Sequence, residues 1–136
     1  RMEISLAKTT QIQSVISFFD HYLSRDNPAI YSDEFFCPLG IKAAILRKQI
    51  VVAIVDNQLI GAYRFYPKKT QGRISLYQFA ISEKYRGQGL LKMMLQTVHE
   101  SPITSLCPID CNLNEYYRKS GWRLHEKTKG FYVWIF

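Results

Sequence analysis

Ser82-Glu83-Lys84-Tyr85-Arg86-Gly87-Gln88-Gly89-Leu90-Leu91-Lys92 is the stretch on which the reading of the fold turns. Before it, residues 73–81 carry Ile74, Leu76, Tyr77 and Phe79 in a β-rich run. After it, Leu91, Met94, Leu95 and Val98 recur at i, i+3, i+4 and i+7, the period of a helix with one apolar face. The order is therefore strand, glycine loop, helix. Gly87 and Gly89 let a ligand approach the backbone without meeting Cβ atoms, and the first helical turn offers unpaired N–H groups at a partly positive helix end. A pyrophosphate suits such a place, and Lys84, Arg86 and Lys92 could add charge-assisted contacts. Neither the Gly-Lys-Ser/Thr ending of a nucleotide triphosphate loop nor a third glycine at the dinucleotide spacing is present. The plainer alternative is a surface turn in which Gly89 merely starts a helix.

Working outward, Met2-Glu3-Ile4-Ser5-Leu6 alternates as a half-buried strand does. A helix should follow, opened by Thr10 and Gln13 at capping-box spacing, with Ile12, Val15, Ile16, Phe19 and Leu23 on one face. Asn27-Pro28 breaks the chain, residues 33–38 read as irregular, and residues 41–48 can form a second short helix. Residues 50–55 and 59–66 flank the polar Asp56-Asn57-Gln58 as a hairpin that Pro67 should end. Pro102 stops the helix after the glycine loop. Beyond it, residues 103–106 suggest a strand, 113–120 a helix closed by Gly121, and 122–125 another strand. The last run, residues 131–136, is apolar on both faces and belongs inside a sheet covered on both sides. The order β-α-α-β-β-β-α-β-α-β-β gives one α/β (α+β mixed) domain over residues 1–136. It is a mixed, mainly antiparallel sheet of about seven strands flanked by about four helices.

With 136 residues the chain has room for one core and one site. Arg1 stands ahead of Met2, nothing after Met2 resembles a cleavable secretory leader, and no segment nears the roughly 20 apolar residues of a membrane span. A cytoplasmic protein is expected. Cys37, Cys107 and Cys111 are an odd set without disulfide-scaffold density and without a second close Cys/His pair for zinc, so free thiols and no metal are expected. A formal charge of +7 favours an anionic partner, whether phosphate, nucleic acid or an acidic substrate. His21, His99 and His125 are scattered and suggest no triad.

The glycine loop resembles the acyl-CoA loop of the GNAT superfamily of N-acetyltransferases, whose pattern is Q/R-x-x-G-x-G/A; Arg86 and Gly89 match, and Leu91 stands where Gly or Ala is usual. Residues 76–81 look like that family's fourth strand, and Asn114-Glu115-Tyr116-Tyr117-Arg118-Lys119-Ser120-Gly121-Trp122 resembles its F-Y-x-K-x-G-F segment. The resemblance implies an acyl-CoA-dependent N-acetyltransferase using acetyl-CoA as donor, with no metal. It places the coenzyme on Arg86, Gly87, Gln88, Gly89, Leu90, Leu91 and Lys92, along Phe79, Ala80 and Ile81, and at Asn112. Tyr117 is the implied general acid to the leaving thiolate, with Tyr116 as competitor. Arg118, Lys119 and Arg123 would lower its pKa if they point toward it. The family's strand carboxylate is missing from residues 73–81, which leaves the base open among Asp33, Glu34, Glu115 and a water relay at Ser75 or Gln78.

The resemblance also implies an acceptor, a small-molecule or peptide amine, received by residues 24–40 and the turn at residues 127–130, where Tyr31, Phe35, Phe36 and Tyr66 could line an aromatic pocket. A monomer or homodimer is expected. Two other readings stay open. One is a GNAT-like module that binds coenzyme A without transfer; the other is a nucleic-acid-directed protein that uses the excess charge.

Overall fold

The computed structural model describes residues 1–23, 33–68 and 71–136. Asn27-Pro28 and Tyr31 lie outside the described residues. The elements run β1 (Met2–Leu6), α1 (Ile12–Tyr22), α2 (Pro38–Leu46), β2 (Ile50–Val55), β3 (Gln58–Lys68), β4 (Arg73–Ile81), α3 (Leu90–Val98), β5 (Ile103–Pro108), α4 (Leu113–Lys119), β6 (Arg123–Thr128) and β7 (Phe131–Ile135). That is the expected order. They build a 7-stranded sheet ordered β1-β2-β3-β4-β5-β7-β6, in which only β4 and β5 pair in parallel. β7 is an interior strand as its composition requires, but only Val133 and Trp134 at its centre are buried, while Phe131 is partly exposed.

Each face of the sheet carries a helical layer. On one, Val15 and Phe19 of α1 and Ile41 and Ile45 of α2 meet Val52, Ala62 and Ala80. On the other, Leu91, Met94 and Leu95 of α3 meet Tyr63, Phe65 and Leu76, and the cluster continues through Tyr117, Trp122 and Trp134. Each large side chain so buried contributes on the order of 1.5–3 kcal/mol. Gly61 lets α3 sit this low: a Cβ there would stand 3.0 Å from the Met94 sulfur and 3.2 Å from both Ile81 and Leu90.

Several boundaries differ from the sequence expectation for local reasons. The reciprocal cap lies earlier than Thr10 and Gln13: the Lys8 N–H donates to Gln11 Oε1 at 2.8 Å, and a 3-10 turn over Thr9–Gln11 leads into α1. Residues 33–36 form a 3-10 turn, and Pro38 opens α2, where its missing N–H costs nothing. The hairpin turn is Asp56-Asn57 alone, both at positive φ, with Val55 opposite Gln58. Pro67 does not end β3. The Phe65 N–H points toward Gln49, on the β2 side, so Pro67 two residues on turns its nitrogen to that side too, beyond the start of β2 at Ile50, and the pairing with β4 continues to Lys68.

At the end of α3, the hydroxyl of fully buried Tyr63 lies 2.8 Å from His99 Nε2, and the Phe65 ring meets the imidazole edge-on. Burial lowers the His99 pKa below its usual value, so the folded state prefers the neutral ring. Unfolded chains then bind an extra proton below about pH 6.5, and the stabilisation present above that pH is lost as pH falls through the folded pKa. Thermal unfolding between pH 7 and pH 5 should show this loss, and His99→Gln should flatten that part of the profile.

Candidate active site

β4 and β5 pair only from Ile74 opposite Ile103 to Leu76 opposite Ser105. Immediately afterwards the β3–β4 register steps, with Arg64 opposite Gln78 and Phe65 opposite Leu76, so that Tyr77 is an extra, bulged residue in β4. A bulge bends its strand and sharpens its twist. Past Leu76 the two strands therefore part, opening a wedge into a cleft of about 1190 Å³. Phe79, Ala80 and Ile81 line one arm and Ser105, Leu106 and Cys107 the other. Beyond Leu76, β4 has no ladder partner on its β5 side among the described residues, so its backbone groups there can pair with an inserted chain.

The wedge ends at the glycine loop. Gly87 and Gly89 hold φ of 74° and 76°, left-handed values that an L side chain would strain, and a Cβ at either would meet nothing within 4 Å. Gly89 is the N-cap of α3 and no side chain caps that end, so its first-turn N–H groups face the cleft uncapped. Leu90, Leu91 and Lys92 line this end. The charged lining side chains are Arg86, Lys92 and Lys119, and no acidic side chain lines the cleft among the described residues. The wedge thus fits a pantetheine arm, and the loop with its cations fits a diphosphate.

Not every expected coenzyme contact converges here. Arg86 lines the cleft but is also pinned back, its Nε donating to the Ile81 carbonyl at 3.0 Å and its Nη2 to the Tyr22 carbonyl at 3.3 Å. Gln88 donates to the Lys84 carbonyl at 3.1 Å and lies outside the lining. Asn112, the exposed N-cap of α4, also lies outside it. The buried asparagine is Asn114. Its amide NH2 donates to the carbonyls of Pro108 and Cys111, both at 2.9 Å, and Ile109 at 3.2 Å, while Oδ1 accepts from Trp134 Nε1 at 2.8 Å. Nothing in the motif spacing separates Asn114 from Asn112; burial does.

Tyr117 is 3 % exposed yet lines the cleft. Its ring stacks on Trp134 at 6.0 Å and meets Trp122 edge-on, and its hydroxyl lies 2.7 Å from Ser105 Oγ. Ser105 escaped the sequence reading because a lone serine in a strand carries no motif. Burial pushes the Tyr117 phenol well above its ordinary value, the Ser105 bond opposes this only in part, and the lowering expected from Arg118, Lys119 and Arg123 is absent. Arg118 instead pairs with Glu115 and lies over the Trp134 ring, while Arg123 sits on exposed β6. Tyr116 also lines the cleft, half-buried, with its ring 5.8 Å from that of Phe79. Cys107 lines it as well, but burial and the adjoining Cys111 push its thiol up to about 12, which leaves essentially no thiolate at neutral pH.

On the α1–α2 side, Phe35 lines the cleft and meets the Tyr77 ring edge-on at 5.1 Å. Gln78 is committed at both ends, accepting from Arg64 and donating to the Phe35 carbonyl, which removes it as a mobile relay; Ser75 still lines the cleft. Glu34 hydrogen-bonds Tyr77, and burial first and Glu34 second push that phenol up to about 12. Tyr66 lies outside the lining and accepts from Arg64 Nη2 at 2.7 Å.

Solved structures share the fold across almost the whole chain. A PaiA N-acetyltransferase from Thermoplasma acidophilum, in complex with coenzyme A, is 14% identical with a TM-score of 0.78, over 99% of this chain and 98% of that one. A GNAT-family acetyltransferase from Listeria monocytogenes is 16% identical with a TM-score of 0.81, over 99% and 94%. A ribosomal-protein-S5-alanine acetyltransferase from Vibrio fischeri is 15% identical with a TM-score of 0.63, over 99% and 92%. No curated protein matches the sequence significantly. No helix among the described residues is long and apolar enough to cross a membrane. With the sequence profile of the acetyltransferase (GNAT) family matching residues 17–131, through the wedge, the glycine loop and α4 alike, this chain belongs to that family of acyl-CoA-dependent N-acetyltransferases.

Proposed function

We propose that the protein moves an acetyl group from acetyl-CoA to a primary amine by direct attack, with Tyr117 protonating the leaving thiolate. The observation that carries this reading is the wedge itself: a strand bent away from its neighbour, running into uncapped helical N–H groups, with a buried phenol beneath. Phe79, Ala80 and Ile81 offer backbone to the pantetheine arm. Gly87, Gly89 and the first turn of α3 hold the diphosphate, with Arg86 and Lys92 adding charge.

The acceptor nitrogen bonds to the acyl carbon, the C–S bond breaks, the nitrogen loses one proton and the sulfur gains one. Tyr117 supplies the latter. The Ser105 hydroxyl, 2.7 Å away, then donates to the phenolate left behind, which makes Ser105 a positioning residue. For the amine's proton, Ser75 holding a water remains compatible with the lining, and Glu34 acting through Tyr77 is a carboxylate route.

Calorimetric titration with acetyl-CoA tests the binding half. The wild type should bind, and Gly89→Val should lose at least tenfold in affinity, because a β-branched residue at φ 76° costs roughly 1–3 kcal/mol and displaces the backbone that faces the diphosphate. No binding by the wild type at millimolar ligand would sink the proposal.

A further inference from the structure

Two large apolar side chains stand unusually open on one side of the wedge, Leu106 at 49 % exposed and Phe131 at 39 %. Ser105 and Cys107 point to the α4 side, as the Ser105–Tyr117 bond shows, so Leu106 between them points to the α1–α2 side. Leu106 lies opposite Val133, and Phe131, two residues from Val133, shares that face. Phe35 and Tyr77 stand there as well, and all four line the cleft.

The charges are distributed unequally between the two sides. Lys92 lies on α3, Lys119 on α4 and Arg86 in the loop, where they serve the diphosphate end. The α1–α2 wall brings no charged side chain into the lining among the described residues. Behind it stands Arg64, 6 % exposed, its guanidinium 4.6 Å from the Tyr77 ring centroid and bonded to the neutral Tyr66 hydroxyl and Gln78 amide. At that wall the Glu34 carboxylate bonded to Tyr77 opposes the Arg64 charge, so the repulsion a second cation meets in the cleft comes from its charged lining, Arg86, Lys92 and Lys119, all of them basic among the described residues. The same wall gains by covering apolar surface, at about 25 cal/mol per Å².

The geometry points to an acceptor whose amine is borne on an apolar skeleton, aromatic or branched, with no second cationic group. The inference rests on the acetyl-transfer reading of the cleft and adds the chemical class of the acceptor to it. Leu106 and Phe131 are the specificity-determining side chains, and the nitrogen enters as the neutral amine, leaving its charge in solvent.

The experiment titrates 2-phenylethylamine and spermidine separately into the free and the CoA-saturated protein, then follows thiol release with acetyl-CoA for both amines. 2-Phenylethylamine should bind at least tenfold more tightly than spermidine and have the higher kcat/KM. Leu106→Ser and Phe131→Ser should each weaken 2-phenylethylamine severalfold while leaving acetyl-CoA affinity within twofold; both sites are open enough to accept serine, and the retained coenzyme affinity reports an intact fold. Spermidine binding equal to or tighter than 2-phenylethylamine, no measurable 2-phenylethylamine binding, or an affinity unmoved by both substitutions would overturn the inference. Failure of acetyl-CoA itself to bind would instead overturn the acetyl-transfer reading, so the two failures are told apart.

Discussion

Tyr117→Phe should lower the rate of amine-dependent thiol release by about 10²–10⁴, the usual worth of a positioned general acid, while acetyl-CoA affinity changes only a few-fold. The substitution keeps the ring that stacks on Trp134 and removes only the hydroxyl bonded to Ser105. Because burial raises the phenol's pKa, the acid is in its protonated form throughout the neutral range, and activity should not fall with loss of that proton until strongly alkaline pH. The same shift has a cost. Handing a proton from a phenol above its ordinary value of about 10 to a thiolate near 8.5 is uphill by more than about 2 kcal/mol. A hydrogen bond that strengthens on the phenolate offsets part of this, so Ser105→Ala should lower kcat by a smaller factor with KM for acetyl-CoA little changed. Full activity in Tyr117→Phe would remove Tyr117 from the chemistry and pass the role to Tyr116. Binding of acetyl-CoA without turnover on any amine would instead favour a coenzyme-binding module.

Asn114→Ala should be the most destabilising polar substitution, by about 3 kcal/mol in urea unfolding. The amide serves three carbonyls, those of Pro108, Ile109 and Cys111, and accepts the Trp134 indole N–H, all in a 7 % exposed position. Removing it strands several polar groups away from water, each at about 1–3 kcal/mol before local rearrangement. Asn114→Asp restores an acceptor for Trp134 but sets a carboxylate against three carbonyls, so it should not rescue. A loss under 1 kcal/mol would mean that water replaces the amide freely. α4 would then be held mainly by its aromatic contacts.

The order of elements along the chain and the helix count were legible because the strand runs and the α3 stripe are long and periodic. The loop was legible because two glycines stand between a strand and a helix. The bulge at Tyr77 was not: the apolar positions change phase between Leu76 and Phe79, but a strand covered on both faces shows the same pattern without a bulge. Pro67 misled because a proline reads as a strand stop unless the side to which its nitrogen turns is known. The role of Arg64 was hidden as well. A single arginine in a β-rich run gives no sign that it will be 6 % exposed behind Tyr77. The condition for a lowered Tyr117 pKa is not met: sequence neighbours Arg118 and Lys119 are exposed on α4, while the phenol points into the core, where burial raises it.

The parting of β4 and β5 divides the sheet as well as opening it. Four strands on one side and three on the other are stitched by three residue pairs, Ile74–Ile103, Ser75–Thr104 and Leu76–Ser105, with one further backbone bond from Ile74 to the Pro102 carbonyl. The molecule therefore has a seam, and anything that pairs with both arms of it works as a missing strand. A coenzyme seated there would do structural duty before any chemistry begins: it would add backbone bonds between two half-sheets that past Leu76 are held together by their shared apolar core, and binding would stabilise the chain where its backbone is least joined.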